Sequence, residues 1–446
     1  MFGLLKKCLG PKANPIGVDF GTDSLKVAQV ARVDDEWRLI AAASADIPSH
    51  VRHNPTARLE YLADTLRDML VQAGFRGRNV ILSLPAASMF IQHLRLPKMD
   101  EEAMKKALPW EARGKIPIDP SHALLRHHVA GTVYQEQEER NEVIVMAAGR
   151  DVVNQYLEVA TKAHLDIQGM NVEPRAIVDC FSHIYRRKSD AEVTSCYVDI
   201  GCVGSRAIIA RGSHILFART IPIGGDHLTN AVSTALNISF DEAKLLRLQM
   251  GAKQPSANEL QQKQEIAPQS ESQAPANEGF AVLDAAFAAS KRAEGAPEER
   301  RESTVAVLDP HPAMPISRRQ AKDSNPMTGL DDQTVLAEQA CQEPLDKLIA
   351  ELDLCRRYYE STFPNRPVDR LIFIGGEAKH KTLCQYIAKE MGLAAQVGDP
   401  LVRMGRVSNV GPESGIDRRQ PQPNWAVAIG LSLGPNDQAQ QVGEAA

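Results

Sequence analysis

Two short Asp-x-Gly segments hold the residues best suited to phosphate chemistry. Asp19-Phe20-Gly21 and Asp199-Ile200-Gly201 each follow an apolar run and precede small polar residues and a second β-rich run. This pattern predicts a β-hairpin whose turn carries a carboxylate and a glycine. The glycine lets backbone N–H groups approach a phosphate, and a hydrated Mg²⁺ would separate that phosphate from the aspartate that otherwise repels it. Two hairpins of this kind predict a duplicated nucleotide clamp.

Glu173 is a further candidate for chemistry. It precedes Pro174, a residue that suits the first turn of a helix, so the sequence predicts that a helix begins here. A carboxylate at this point could polarise an attacking water in an interdomain cleft. It could equally act as an acid that caps the helix and interacts with its dipole. Both interpretations remain open from the residues alone.

Three more segments supply glycines and charges. Gly224-Gly225 opens a predicted helix, whose N–H groups and dipole favour an anion. The segment from Asp241 to Lys244 begins a charged helix that could reach a ribose or a base. Gly375-Gly376 follows a strand, so that bare backbone could approach a flat adenine. Each diglycine alone is a weak signal, but their order along the chain indicates a clamp between two lobes.

Strands and helices must position these segments, and the hydrophobic pattern predicts both. Apolar residues recur at helical spacing across 58–73, and Gly74 ends that helix. Short apolar runs between the helices predict buried strands. The other predicted elements are strands at 79–84, 141–148 and 371–374, helices at 151–163, 345–361 and 425–431, and a helix that ends at Met391. Alternating strands and helices predict an α/β architecture.

The composition excludes several classes of protein. With 446 residues the chain is long enough for two or three domains, and its net charge of −5 argues against a general nucleic-acid binder. The seven cysteines form no Cys-x-x-Cys pair, which disfavours a structural zinc site and predicts a reducing compartment. The apolar stretches are shorter than the roughly 20 residues of a membrane-spanning helix, so we expect a cytoplasmic protein. The sequence also lacks a P-loop and a dinucleotide fingerprint.

One long segment interrupts the pattern. From 252 to 332 the chain is rich in Gln, Ala, Glu, Ser and Pro and poor in large apolar residues. Such a segment buries too little surface to offset the entropy lost when a chain becomes ordered. We therefore predict a disordered insertion within a domain.

The chemistry-bearing segments resemble the nucleotide-binding motifs of the actin, Hsp70 and sugar-kinase superfamily. Within it, the chain is most similar to the PilM family of type IV pilus assembly proteins, relatives of the cell-division protein FtsA. The similarity extends over nearly all of the chain apart from 252–332 and the two ends. The runs that carry it most clearly are residues 17–26, 96–99, 110–118, 166–174, 223–229 and 345–361.

The resemblance implies a bilobed actin-like ATPase fold with an inserted subdomain of the type called 1C and a long disordered loop. It also implies how the chain is divided among these parts. The expected boundaries are 1–82, 161–192 and 414–446 for lobe 1 (1A), 83–160 for subdomain 1C, 193–251 and 333–413 for lobe 2 (2A/2B), and 252–332 for the disordered insertion.

The resemblance further implies ATP and Mg²⁺ as cofactors and gives individual residues a role toward them. The first turn would hold the phosphates, and the second would complete the clamp; the residues are Asp19, Gly21, Thr22, Ser24 and Lys26, then Asp199 and Gly201. Two later groups would face the ribose and the adenine, namely Gly224, Gly225, Asp241 and Lys244, then Gly375 and Gly376. Asp19 and Asp199 would hold Mg²⁺ through water, and Glu173 and Asp199 are the candidate catalytic residues.

By the same resemblance, the protein would be a cytoplasmic ATP-binding adaptor associated with the cytoplasmic face of the inner membrane. A cleft involving subdomain 1C would grip the N-terminal cytoplasmic peptide of a PilN-like bitopic membrane protein within the pilus assembly complex. ATP would act mainly to set the angle between the lobes, with weak or no ATPase activity.

Two other functions stay open. One is an ATPase or small-molecule kinase of the same superfamily, which would use Glu173 or Asp199 to position the nucleophile. The other is an FtsA-like filament protein of cell division. FtsA-like chains end in an amphipathic membrane helix, whereas residues 436–446 here are polar and rich in Gln.

Overall fold

The computed structural model of the protein describes residues 13–184, 188–252, 326–405, 410 and 414–443. Most of the segment predicted to be disordered, namely 253–325, lies outside the described residues. The helix that follows this segment begins at Pro326, so the boundary expected at 332 falls inside a helix.

Strands in the described residues form two five-stranded sheets and one three-stranded sheet. In chain order they are β1 (Ile16–Phe20), β2 (Ser24–Val33), β3 (Glu36–Asp46), β4 (Asn79–Ser83), β5 (Phe90–Pro97), β6 (Ala123–Gln135), β7 (Glu138–Gly149), β8 (Asp166–Asn171), β9 (Thr194–Ile200), β10 (Ser205–Arg211), β11 (His214–Ile221), β12 (Arg370–Ile374) and β13 (Ala394–Val397).

The α-helices of the described residues connect and cover these sheets. In chain order they are α1 (Ser49–Arg52), α2 (Pro55–Gln72), α3 (Glu101–Glu111), α4 (Arg150–Lys162), α5 (Glu173–Ser182), α6 (Gly225–Leu236), α7 (Phe240–Ala252), α8 (Pro326–Thr362), α9 (Lys381–Met391) and α10 (Ala426–Gly443). None of them combines the length and the apolar character needed to cross a membrane.

The two five-stranded sheets have the same topology. The first has the order β3-β2-β1-β4-β8 and the second has the order β11-β10-β9-β12-β13. In each, an antiparallel three-stranded meander is extended by two strands parallel to its first strand. The turns after β1 and β9 are therefore equivalent positions in a duplicated fold, and both predicted Asp-x-Gly hairpins are present.

The third sheet is antiparallel, with the order β5-β7-β6, and lies within the stretch 83–160 expected for the inserted subdomain. With α3 it forms a separate small unit, here called the insert. Its own core is apolar and includes Leu94, Leu96, Met104, Leu108, Val143 and Val145.

Local sequence explains why the main helices begin and end where they do. The side chain of Asn54 accepts a hydrogen bond from Ala57 N at 3.1 Å, and Pro55 occupies the first turn, so α2 begins as its capping residues dictate. Its buried residues, among them Leu62 and Leu66, pack on the first sheet as the helical spacing predicts. The predicted helices at 151–163 and 425–431 correspond to α4 and to the start of α10, and α10 packs against α5 and β1.

Candidate functional site

The first Asp-x-Gly turn joins β1 to β2 and is held by two cations. Asp19 is buried and lies opposite Lys26 in the hairpin register. The Lys26 ammonium also contacts Ser24 Oγ. From α2, Arg58 donates to the carbonyl oxygens of the Gly21-Thr22 dipeptide, at 2.8 and 3.2 Å. The turn carbonyls are thus bound from the side of α2.

The second turn joins β9 to β10, and an arginine links its aspartate to α5. Arg206 donates through Nε to Asp199 Oδ2 at 3.0 Å and through Nη2 to the same oxygen. Through Nη1 it also donates to Glu173 Oε2. All three residues are at most 7 % exposed. The two candidate catalytic residues are therefore brought together, but each of them is bound to Arg206 in a buried cluster.

Burial shapes the protonation of this cluster. It raises the pKa of Glu173 above its ordinary value, and the charge of Arg206 opposes this shift while those of Asp19 and Asp199 add to it. Burial likewise raises the pKa of Asp19, against the charges of Lys26 and Arg206. For Arg206, burial acts to lower the pKa, but Asp199 and Glu173 together raise it. The guanidinium is therefore the permanent charge around which the three acids are arranged.

The N-terminus of α6 is closed by the second turn. Gly225 N–H donates to Gly201 O at 2.9 Å, and the next N–H in the helix donates to Cys202 O at 2.8 Å. Gly224 N–H donates to His227 Nδ1 at 3.2 Å. These N–H groups were predicted to face a ligand directly. They instead fix the shape of the turn that would hold it.

A buried ion pair supports the two diglycines from behind. Arg247 on α7 binds Glu377 Oε2 at 2.5 Å and also donates to Gly225 O at 2.9 Å. Gly375 has a φ of +90°, and a Cβ atom there would lie 2.4 Å from Asp199 Oδ1. Gly375 thus lies directly against the second turn, in a position that only glycine fits.

Ion pairs connect the two lobes across the mouth of the cleft. Lys244 Nζ lies 2.9 Å from Asp23 Oδ2. Arg52 on α1 lies 3.1 Å from Asp23 Oδ1 and 2.6 Å from Asp226 Oδ2. We call these four side chains the clasp. Asp241 lies beside it, where it accepts from Ser49 Oγ at 3.4 Å. Two of the four residues predicted to face the ribose, Asp241 and Lys244, thus contact the opposite lobe.

Three cations of the cleft were missed by the sequence analysis. Arg206 had a detectable signal, since it follows Asp199 by the same seven positions by which Lys26 follows Asp19. Arg58 gave none, because its contact depends on how α2 packs. Lys379 also gave none; burial and the nearby charge of Lys26 lower its pKa.

The cations of this site suit a polyphosphate. Lys26 and Lys379, from opposite lobes, are close enough to repel each other, and a polyphosphate between them would relieve that repulsion. Asp19 accepts from Ser83 Oγ at 3.4 Å, whereas Asp199 is bound by Arg206. Within the described part of the chain, no three His, Cys, Asp or Glu side chains gather as a metal-binding cluster.

A groove of about 910 Å³ opens on the insert. It is bordered by α3, by β6 and by the start of α4, and it combines apolar and charged side chains. Its lining includes Met99, Met104, Lys105, Leu125, Arg126 and Val129. We call it the insert groove. Its dimensions and mixed chemistry suit an extended peptide.

His128 lines the insert groove and also reaches the second lobe. Its Nε2–H donates to Ile215 O on β11 at 2.9 Å, and its ring lies 4.8 Å from that of His214. Burial, together with the charge of His214, lowers the pKa of His128 to about 4. A neutral imidazole therefore joins the groove to the lobe that carries Asp199.

Two family profiles match the sequence. The profile described as type IV pilus assembly protein PilM matches residues 17–259, and that of the cell division protein FtsA matches residues 196–430. The first covers more than half of the chain and includes the first turn, the insert and the second turn.

Two solved structures match nearly the whole chain. A PilM–PilN type IV pilus biogenesis complex is 19% identical over 94% of this chain and 98% of that chain, with a TM-score of 0.62. The ethanolamine utilization protein EutJ from Carboxydothermus hydrogenoformans is 11% identical over 95% and 90% of the two chains, with a TM-score of 0.46. The first similarity, together with the duplicated sheets, shows the predicted bilobed actin-like ATPase fold.

Proposed function

The chain belongs to the family of type IV pilus assembly proteins PilM, and we propose from this premise that it is an ATP-binding adaptor of pilus assembly. It acts at the cytoplasmic face of the inner membrane and binds the cytoplasmic N-terminal peptide of a PilN-like membrane protein. ATP sets the angle between the two lobes, and its hydrolysis is weak or absent. The insert is subdomain 1C, and the domain boundaries are those predicted above, apart from the boundary at 332, which is replaced by the start of α8 at Pro326.

The arrangement of the cleft supports ATP binding. The two equivalent turns lie near each other, since the charges of Asp199 and Arg206 act on Asp19, and Lys26 and Lys379 supply positive charge from opposite lobes. The glycine backbone at 375–376 leaves room for a flat base, since a Cβ atom on Gly376 would meet nothing within 4 Å. In this proposal the turn N–H groups and the two lysines hold the phosphates.

The insert groove supports peptide binding. Its apolar side chains can bury the hydrophobic residues of a peptide, while Lys105 and Arg126 can bind its acidic or carbonyl groups. β6 lies at an edge of its sheet, where an extended peptide can also pair with backbone groups.

The observation that carries the proposal is that one residue, His128, belongs both to the groove and to the contact with β11. Because β11 is in the same sheet as β9, a change in the second lobe would reach the groove through the contact between Ile215 and His128. The free energy of such coupling is typically about 1–3 kcal/mol, which is 5- to 150-fold in affinity.

The test is a pull-down from detergent-solubilised native membranes with the full-length chain, in ATP and without nucleotide. We expect wild type to recover a single-span protein related to PilN, identified by mass spectrometry, and to recover more of it in one nucleotide state. Val129→Asp, which charges the groove, should abolish recovery. Val71→Asp is the matched control, because Val71 is 81 % exposed on α2, outside the groove.

Two results would contradict the proposal. Equal recovery by the Val129→Asp variant would exclude the insert groove as the binding site. Equal recovery with and without ATP, at a nucleotide concentration shown to saturate the cleft, would exclude the coupling and leave a simple adaptor.

A further inference from the structure

The strongest feature of the cleft to which the proposed function gives no role is the set of hydrogen bonds that Arg206 makes. Three of its nitrogen atoms donate to two buried carboxylates, Asp199 and Glu173. A buried guanidinium with both acids within hydrogen-bond distance is costly to disrupt, because either acid left alone would be an uncompensated charge. The arrangement is therefore a fixed part of the second turn.

The duplicated topology defines what Arg206 replaces. In the hairpin registers, Arg206 lies opposite Asp199 as Lys26 lies opposite Asp19. Lys26, however, contacts Ser24, whereas Arg206 binds its aspartate directly. Only in the second turn, therefore, is the aspartate neutralised by a protein cation at hydrogen-bonding distance.

A carboxylate in this position repels a phosphate unless a positive charge lies between or beside them. A hydrated divalent cation can supply that charge, and so can a guanidinium. The two compete, because a cation that approached Asp199 would meet the charge of Arg206. The same contact holds Glu173 by one oxygen and reduces its ability to orient a water molecule.

We infer that Arg206 performs at Asp199 the neutralising role that a divalent cation would otherwise perform, so that this chain binds nucleotide without requiring a metal ion. The inference rests on the proposed binding of ATP in the cleft. Arg206 is then a positioning residue for the second turn. Its contact with Glu173 is also the reason why the hydrolysis in the proposed function is weak or absent.

The experiment measures ATP affinity by calorimetry, in Mg²⁺ and in EDTA, for wild type, Arg206→Ser and Arg206→Lys. For wild type we expect the two dissociation constants to agree within about fivefold, or about 1 kcal/mol. Arg206→Ser should lose at least about tenfold in EDTA and recover in Mg²⁺. Arg206→Lys provides a compact charge that cannot bind both acids at once, so its dissociation constant in EDTA should lie between those of wild type and Arg206→Ser. Arg211→Ser, at the far end of β10, is the matched control and should behave as wild type.

A second measurement tests the inference if Arg206→Ser folds poorly. The midpoint of thermal unfolding without nucleotide should rise on addition of Mg²⁺ for Arg206→Ser, because a cation can now bind the exposed acids, and should not change for wild type. Wild-type affinity that falls more than about fivefold in EDTA would overturn the inference and leave ATP binding intact. Metal-independent binding by Arg206→Ser would overturn the role of Arg206. Failure of wild type to bind ATP in either buffer would overturn both this inference and the proposed nucleotide.

Discussion

The junction between the insert and the second lobe gives the sharpest stability prediction. Glu142 on β7 is completely buried and accepts from Tyr358 OH on α8 at 2.8 Å. It also accepts from His93 Nδ1 at 2.9 Å and Arg95 Nε at 3.1 Å. Burial acts to raise the pKa of Glu142, but these hydrogen bonds together lower it. Tyr358 therefore supplies one of the bonds that join this network to the second lobe; His93 Nε2 also contacts Ala218 O on β11 at 3.1 Å.

The predicted perturbation is Tyr358→Phe, which removes this one bond and little volume. A hydrogen bond to a charged group contributes about 1.5–3 kcal/mol. Tyr358 is 38 % exposed, so water can partly replace its hydroxyl, and we expect a loss of about 1 kcal/mol. Because His93 and Arg95 still bind Glu142, the carboxylate does not become unpaired and the cost stays in this range.

Native-state hydrogen exchange is the appropriate assay, since unfolding of a chain with several subdomains need not be two-state. Amides of β5 and β7 should exchange about fivefold faster in Tyr358→Phe, as about 1 kcal/mol requires. Tyr134→Phe is the matched control. Tyr134 OH donates to Glu139 at the same 2.8 Å, but the residue is 73 % exposed and both partners lie within the insert.

A double-mutant cycle with Glu142→Gln isolates the bond between the two groups. A coupling energy near zero, or equal acceleration of exchange in Tyr358→Phe and Tyr134→Phe, would refute the argument that this network fastens the insert to the second lobe.

Three other predictions follow from single positions. Gly375→Ala should lower the free energy of unfolding by about 2 kcal/mol or more in urea denaturation, because of its φ of +90° and the contact with Asp199, whereas Gly376→Ala, whose Cβ meets nothing within 4 Å, should cost under about 1 kcal/mol. His128 has a pKa of about 4 in the folded protein and about 6.5 in the unfolded chain, so the unfolded chain binds more protons between these pH values. The free energy of unfolding should therefore fall by up to about 2 kcal/mol from pH 6.5 to pH 4, and His128→Gln should weaken that fall. Lys244→Ala should lower the free energy of unfolding by less than about 1 kcal/mol, because its ion pair with Asp23 is about one-third exposed. The resulting small shift of the thermal midpoint should vanish in 1 M salt, which screens the pair. A shift that persisted in salt would require a different role for Lys244.

The hairpins and main helices could be predicted because their causes are local. An apolar run followed by Asp-x-Gly specifies a strand and a turn wherever the chain folds, and helical spacing with a proline start specifies α2. The same local rules place Glu173 at the first position of α5. The segments of the candidate site could be placed on their strands and helices for this reason, whereas the roles of their residues toward ATP and Mg²⁺ stay predictions.

The partners of those residues could not be predicted, because they lie far apart in the chain. Lys244 meets Asp23 across 221 positions and Arg52 meets Asp226 across 174. Such contacts depend on the angle between the lobes and on side-chain conformations that no local pattern encodes. The same is true of His128 and β11, whose contact makes the insert groove part of an interface.

Arg206 falls between these two cases. Its place in the hairpin was determined by the sequence, since strand register puts it opposite Asp199 as Lys26 is opposite Asp19. Its bond to Glu173 was decided only by tertiary structure, because it requires α5 to pack beside β10 with both carboxylates buried. The sequence by itself thus determined a duplicated pair of Asp-x-Gly turns, while long-range packing decided which charged side chains surround those turns.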